Sequence, residues 1–567
     1  MAVYKVASRK VTPQNQPIPG STQVKNSAGG YSWQLDDWGR LRRFLILGSE
    51  GGTYYIKEQD LLKQNADVLK RCLASDGSKT VNLIVEVSEK GLAYRNEAAL
   101  FALATAASVK DEAVRRLALD ALPKVARIGT HLFHWAHYIN AQRGWGRALR
   151  NAVSNWYLEK TPDQLALQAV KYQQRDGWSH SDLLRLAHPV ANDPAHDAVF
   201  RWMIGGKEAL GERTIQRQGF KQVKNTRSTV QDPEAADLVA AQKAVKVYPS
   251  RLTALPVLIE AFEEAKRCNE KRLVELIVEN GLPREAIPTN HLNSLAVWEA
   301  LLVKMPATAM IRNLGKMSAI GLVKTLSKAS RDIVTKLKDS EWLRKSRVHP
   351  LQFLIASKVY NQGHGEKGSL TWKADQSVVS ALENAFYGSF GNVTPIGNNV
   401  LFSMDISSSM GQTMAGTCLS CYEAEAALAL VHVNIEPAIG VMGFSHSYRE
   451  IKLRKGMSLV DAMKHVAGQG FGGTDCSLPF RWAGTESMDV NSFVTTTDSE
   501  TWSGGIHPSQ ALNAYRQASG NQARSVVVGM TSNGFTIADP QDAGSLDVVG
   551  FDASTPSLIA DFCRGDI

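Results

Sequence analysis

Cysteine is scarce in this chain, with six in 567 residues, at 72, 268, 418, 421, 476 and 563. That spread is too thin for a disulfide framework, so small secreted scaffolds are excluded and a reducing compartment fits. Long hydrophobic runs are also missing. The longest apolar stretch, "AALFALATAA" at 98 to 107, is too short to span a bilayer, and the opening "MAVYKVASRK" lacks the apolar core of a secretory leader. A soluble, cytoplasmic protein is expected, with no membrane partner. Large-scale disorder is excluded by a composition that is 44% hydrophobic and 21% charged. The length exceeds what one ordinary core holds, so two or more domains are expected. Cys418 and Cys421 form a C-x-x-C, but no second Cys or His pair at zinc spacing accompanies them, and they fall at the start of a helical pattern.

The net charge of +9 conceals an asymmetry. From residue 371 onward there are 10 Lys and Arg against 19 Asp and Glu; of the totals of 64 and 55, that leaves 54 against 36 before it. An acidic part and a strongly basic part meet different partners, and the basic one is the candidate for nucleic acid.

From about 36 to 360 nearly every segment carries apolar residues at i, i+3, i+4 and i+7. "DDWGRLRRFLILG", "EQDLLKQNADVLKRCLA", "NEAALFALATAAS", "DEAVRRLALDALPKVARI", "SDLLRLAHPV" and "HLNSLAVWEALLVKM" are examples, punctuated by Gly, Pro or Asn. No alternating strand pattern competes. Successive short amphipathic helices over more than 300 residues predict an all-α array of HEAT or armadillo type. Around 385 to 400 the texture changes, and "VLFSMDI", "AIGVMGFS", "VNSFVTTTD", "SVVVGMT" and "SLDVVGF" then alternate with helical patterns. Buried strands separated by helices predict an α/β domain with a doubly wound parallel sheet. The boundary falls near 365 to 390, giving a helical domain over 1–370 and an α/β domain over 371–567.

The α/β domain holds a concentrated set of oxygen ligands. The strand pattern "NNVLFS" ends in Asp405, followed at once by Ser407 and Ser409 in "DISSS". In an open α/β sheet ligands bind beyond the carboxyl ends of the strands, and Thr474 in "GFGGTDCS" and Asp498 at the end of "VNSFVTTTD" lie at later loop positions of the same kind. Few carboxylates with several hydroxyls suit Mg²⁺, which keeps waters, better than a calcium cage or a zinc site. The D-x-S-x-S, then T, then D order resembles the metal-ion-dependent adhesion site of von Willebrand factor A domains, with all five positions filled. Such a site implies a cation with an open position for a carboxylate. No nucleophile and base stand beside it to make it hydrolytic, so an enzyme is not expected. Two other patterns are set aside. "GQGFGG" at 468 to 473 satisfies G-x-G-x-x-G but follows a helix where a dinucleotide fingerprint follows a strand. His131, His134 and His137 share a helical spacing, but no carboxylate completes a metal set.

The basic part offers three concentrations of charge. Arg213, Arg217, Lys221, Lys224 and Arg227 share one face if their stretch is helical. A second runs from Lys316 through Lys324, Lys328 and Arg331 to Arg344, Lys345 and Arg347. A third, "NAQRGWGRALRNAVSNWYLEK" with "VKYQQRDGWSH", interleaves cations such as Arg147 and Arg150 with Trp145, Trp156, Tyr157, Tyr172 and Trp178. Cations for phosphates beside aromatic faces for unstacked bases suit single-stranded or irregular RNA; the bland alternative is solvated helix faces with the aromatics turned inward.

"GGYSWQLDDWGRLRRFLILGSEGGTYYIKEQ", "WGRALRNAVSNWY", "KYQQRDGWSHSDLLRLAHP" and "RVHPLQFLIASKVYNQGHG" together resemble the TROVE module of the Ro autoantigen family, in its bacterial branch. The likeness runs from about residue 28 to the end, and the A domain completes the same architecture. It implies a ring of HEAT-like repeats closed by that domain. It also implies two RNA modes, with Y RNA on the outer basic surface and single-stranded 3′ ends of misfolded noncoding RNA in a central hole. The Y RNA contacts carry over to Lys171, Arg175 and His188. The expected function is that of a monomeric RNA-binding protein in RNA quality control or decay, with an exoribonuclease as a candidate partner. The competing expectation is an adaptor whose Mg²⁺ grips an acidic residue of a partner protein.

Overall fold

The computed structural model describes residues 11–211, 213–216, 245–248, 251–365, 369–391, 393–414, 417–467, 472–552 and 554–567. They pack as two compact units. One comprises Met1–Arg127, His134–Gly144 and Leu292–Ile567, and the other Ile128–Phe133 and Trp145–His291.

In the first unit a short N-terminal arm precedes the helices. It carries β1 (Val24–Lys25) and β2 (Tyr31–Gln34), paired antiparallel with Val24 opposite Ser32. Helices then follow at Asp37–Leu47, Glu58–Ser75, Gly77–Glu89 and Glu97–Ala106, each started by local chemistry where it can be. The Asp36 carboxylate accepts from the Gly39 N–H, and the Asp76 carboxylate from the Lys79 N–H, so these side chains satisfy donors the helix leaves open. The apolar stripe of Glu58–Ser75 buries Leu61, Val68, Leu69, Cys72 and Leu73. "DEAVRRLALDALPKVARI" divides into Glu112–Asp120 and Leu122–Val125. Pro123 explains the break, because its ring has no N–H to give and clashes with the preceding turn.

The second unit buries Phe133, Trp156, Tyr157, Phe200 and His180 at its centre. Its helices include Arg147–Leu158, Pro162–Lys171 and His180–Ala187; Thr161 and Ser179 begin the last two with reciprocal capping boxes. Two strand pairs interrupt the helices, against the expectation of helix alone. β3 (Gln174–Arg175) and β4 (Trp178–Ser179) form a hairpin whose turn residues, Asp176 and Gly177, both have positive φ. That is the mirror-image turn which an Asp-Gly pair favours. β5 (Arg213–Gln216) and β6 (Val245–Tyr248) pair antiparallel, so the stretch beginning at Arg213 opens as a strand and not as a basic helix. The alternation of "VKVY" and the β-branched Thr214 and Ile215 favour this pairing. Arg217, Lys221, Lys224 and Arg227 lie outside the described residues.

The rest of the first unit contains the sheet. Its strands are β7 (Val400–Asp405), β8 (Ile439–Phe444), β9 (Tyr448–Glu450), β10 (Ser492–Thr497), β11 (Arg524–Gly529) and, after a short β12 (Phe535–Thr536), β13 (Ser545–Val548). The order is β13-β11-β10-β7-β8-β9, parallel throughout except for β9, an antiparallel edge that the three-residue "YRE" did not announce. β7 and β10 are buried at every residue, as strands covered on both faces must be. Between β7 and β8 the helix Cys421–Ile435 is buried at 11 of its positions and has no polar face. Because β7 connects outward to β8 on one side and lies against β10 on the other, Asp405 ends the strand at the switch point of the sheet. β12 pairs with β2, so the arm continues into a three-stranded sheet of its own.

No helix among the described residues is long and apolar enough to cross a membrane. In the second unit His180 is buried, its Nδ1 2.9 Å from the Tyr157 hydroxyl, and burial pushes its pKa from 6.5 down to about 4. A depressed pKa means that the neutral ring is the one that folds. Its contribution is complete above the unfolded value and is lost as pH falls toward 4, at a cost on the order of 3 kcal/mol. Denaturant titrations between pH 7 and 4 should show this loss, and His180→Gln should flatten it.

Candidate functional site

The end of β7 gathers the predicted ligands. The Asp405 Oδ1 accepts from the Ser407 N–H at 3.0 Å, and its Oδ2 from the Thr497 hydroxyl at 2.5 Å. The register explains the second bond: Met404 lies opposite Thr496, which brings the next pair together at the strand ends. A single turn of 3-10 helix, Ser408–Gly411, holds the Ser407 and Ser409 hydroxyls 3.1 Å apart. Ser409 in turn lies against Asp498, which follows β10. Thr474 stands on a loop whose carbonyl accepts from the Trp502 and Ser503 N–H groups, both at 3.1 Å. None of the five residues is more than 1% exposed.

Two further carboxylates surround this group. Glu425, from the buried helix, accepts from the Thr496 hydroxyl at 2.6 Å. Glu500 accepts from the Ser27 and Ala28 N–H groups at 2.8 and 3.2 Å and from the Asn533 amide at 3.1 Å. Burial raises all four acids. Asp405, with the Asp498 charge added, is pushed up to about 7, and Glu500 to about 8. Burial drives Asp498 up, and burial with the charges of Asp405 and Asp498 drives Glu425 far up. The opposing charge is Arg43, which acts on Asp498.

The donor set fits a hard divalent cation. Asp498 Oδ2 is buried without a hydrogen-bond partner, Asp405, Ser407 and Ser409 are hydrogen-bonded to one another, and the five contain neither imidazole nor thiolate. Among the described residues no three His, Cys, Asp or Glu are grouped to hold a metal.

Of the basic concentrations, the described residues of the 147–188 and 213–227 groups belong to the second unit, and the group from Lys316 to Arg347 belongs to the first. Arg147 and Arg150 are exposed on Arg147–Leu158, Arg175 is exposed on the hairpin, and His188 is exposed in a left-handed conformation after His180–Ala187. Lys171 ends its helix with its ammonium 5.3 Å from the Tyr172 ring. Two contacts join these elements. The Trp145 and Trp178 rings lie 5.6 Å apart, and the Ser154 hydroxyl donates to the Ala187 carbonyl at 3.2 Å. Trp156 and Tyr157 are a correction, because they are fully buried and present no face to a base, whereas Trp145, Tyr172 and Trp178 stay partly open. The side chain of Arg213 and the positions 217 to 227 are not among the described residues.

Sequence reasoning missed Tyr55, Glu425, Glu500 and Asn533. Glu500 had a signal, two residues past Asp498, but Tyr55 and Asn533 reach the site only through the fold. Burial and the charges of Asp498, Glu500 and Asp405 push the Tyr55 phenol up.

A profile described as "TROVE domain" matches residues 24–398, and one described as "Ro60 vWA domain" matches 399–563. A Deinococcus radiodurans protein named "RNA-binding protein RO60" is 36% identical over 99% of both chains. A Caenorhabditis elegans protein of the same name is 35% identical over 98% of this chain and 92% of its own length. A crystal structure of the Deinococcus radiodurans Ro (RSR) protein superposes with a TM-score of 0.65 and 34% identity, covering 94% of this chain and all of that one.

Asn533 bridges the site, since its amide donates to the Asp498 carbonyl at 2.8 Å and to Glu500, while its Oδ1 accepts from Arg43. Asn533→Ala strands buried polar groups and is expected to cost on the order of 2–3 kcal/mol in denaturant unfolding.

Proposed function

The chain belongs to the Ro60 family of RNA-binding proteins, and from that premise we propose that it binds RNA through the exposed face of its second unit. The observation that carries this is the placement of Arg147, Arg150, Arg175 and His188 on exposed positions of adjoining elements, with Lys171 at a helix end and a Trp pair beside them. Guanidinium groups engage phosphates whatever the sequence, and the partly open indoles offer stacking faces to unpaired bases. Y RNA is the structured ligand assigned to this face. Single-stranded 3′ ends of misfolded noncoding RNA are the second substrate, and an exoribonuclease that consumes them is the proposed protein partner. This is a binding protein and not an enzyme, a reading supported by the names of the two relatives.

A Mg²⁺ ion is assigned to Asp405, Ser407, Ser409, Thr474 and Asp498. When bound it would supply two positive charges among buried carboxylates; the residues themselves hold and orient one another. The adaptor reading, in which this ion grips a partner's acidic side chain, has less support because all five residues are shut away from solvent.

The test is a salt titration of binding to structured RNA bearing a 3′ tail. Log affinity should fall linearly with log salt, and the combined Arg147→Ala, Arg150→Ala and Arg175→Ala variant should have a slope shallower by about 0.7–0.9 for each phosphate that the variant no longer engages. A slope near zero in the parent protein would rule the reading out. Sequencing the RNA that copurifies with the chain names the ligand.

A further inference from the structure

The α/β domain is acidic, yet half of its cations stand in one place. Of the 10 Lys and Arg from residue 371 onward, Arg449, Lys452, Arg454, Lys455 and Lys464 fall within 449–464, beside only Glu450 and Asp461. All five are exposed, and none takes part in an ion pair among the described residues. Elsewhere in the domain Arg481 pairs with Asp475, Arg516 with Asp542, and Arg564 with Asp561 and Asp566. Asp461 is occupied by the Ser458 hydroxyl, which donates to it at 2.8 Å. The patch is built on ordered backbone. Arg449 is the middle residue of β9, and Arg454 and Lys455 stand in a turn closed where the Met457 N–H donates to the Arg454 carbonyl at 3.1 Å, with Gly456 at φ of 74°. The Gly456 N–H also donates to the Asn434 side chain at 3.4 Å, which ties the turn to the helix Cys421–Ile435. β9 is in addition the open edge of the six-stranded sheet. The Ile451 N–H donates to the Val441 carbonyl and the Ser445 N–H to the Ser447 carbonyl, so in this antiparallel ladder Arg449 bonds inward to β8. Tyr448 and Glu450 then turn their N–H and C=O groups outward, where no strand pairs with them. Side chains alternate across the sheet, with Arg449 on one face and Tyr448 and Glu450 on the other.

We propose that the free edge of β9 and the basic turn after it form a docking site for an extended acidic segment of a partner protein, which adds to the sheet as a further strand. The edge favours a peptide over a nucleic acid. A phosphodiester chain has no alternating N–H and C=O groups to answer those of Tyr448 and Glu450. Nor is a stacking ring on offer, because the Tyr448 hydroxyl is engaged by Ser403 at 2.8 Å and its ring packs on Trp482. Cations on an edge also repel a second copy of the same edge, so they discourage self-pairing while selecting an acidic strand. The period of two then sets the partner's sequence. A residue placed opposite Arg449 shares its face, and one placed opposite Glu450 meets a like charge. A segment that alternates an acid with a neutral residue therefore puts all its carboxylates on the Arg449 face, and a slip of one residue sets them against Glu450. Strand pairing at β9 is short, so the charges supply much of the hold and salt weakens it.

The experiment titrates the full chain into a fluorescein-labelled octapeptide of alternating Glu and Thr at low salt and reads anisotropy. The alternating peptide should bind. A peptide of the same composition with its Glu residues in one block should bind about tenfold more weakly, and so should the alternating peptide N-methylated at the amides that face β9, a loss of about one or two net hydrogen bonds. Arg449→Glu combined with Lys452→Glu, checked for an unchanged melting profile, should lose at least the same factor. The combined Arg147→Ala, Arg150→Ala and Arg175→Ala variant should bind the peptide as wild type does. Equal binding of the alternating and block peptides would overturn strand docking, because diffuse attraction between charges ignores their order. An N-methylated peptide that binds undiminished would overturn it as well. Displacement of the label by octauridylate at lower concentration than by unlabelled peptide would give the surface to RNA instead. An alternating peptide that does not bind at all would leave the edge without the proposed partner and end the proposal.

Discussion

Four carboxylates share the dry end of one sheet, and their mutual repulsion is the constraint on which the surrounding structure depends. Asp405, Asp498, Glu500 and Glu425 are each at most 1% exposed. A buried charge without compensation is far more costly than a buried hydrogen bond is favourable, so neighbours are selected to donate. Thr496 and Thr497, consecutive on β10, supply hydroxyls to Glu425 and Asp405. Asn533 and the Ser27 and Ala28 amides supply the donors for Glu500. A central strand that reads "SFVTTT" at buried positions would be a poor choice for a purely apolar core, and it becomes intelligible once the threonines are seen as donors to acids.

A second buried charge ties the segment around Arg43 to the strands near the C-terminus. Arg43, 1% exposed, places its guanidinium 2.5 Å from Asp547 and donates to the Phe535 carbonyl at 2.9 Å. Gly529 leaves the space, since a Cβ there would stand 2.5 Å from the Arg43 guanidinium carbon. A buried ion pair of this kind contributes little net stability, but breaking it leaves a stranded charge, so it specifies one docking arrangement over others. β2 against β12 adds backbone hydrogen bonds to the same junction.

The helices and the largely parallel sheet were legible because their periodicities are strong and their ends are marked by caps and prolines. The placement of Asp405 at a strand end and of Asp498 just past one was legible because each closes a stretch rich in apolar or β-branched residues. Three kinds of feature were not. The edge strand β9 and the arm strands β1, β2 and β12 are two to four residues long, too short for any periodicity. The hairpin at Asp176 and Gly177 did carry a local turn signal, but two-residue strands hid it within a helical region. Trp156 and Tyr157 look like stacking partners in sequence because they follow arginines; in the helix Arg147–Leu158 they fall with Leu149, Ala152 and Val153 on the buried face. Tyr55 and Asn533 could be tied to Asp405 only by long-range folding, because nothing in their own neighbourhoods points to a cation.

The pairing of β2 with β12 also sets a timetable. Gln34 and Phe535 are partners in this ladder, so about 500 residues must be made after one before the other exists. At ordinary rates of chain elongation, about 5–20 residues per second, the N-terminal hairpin waits roughly 25–100 s for its third strand. Two strands alone are marginal in water. Each new molecule therefore carries an unclosed sheet edge and an unmatched arginine throughout the making of the residues between these two strands.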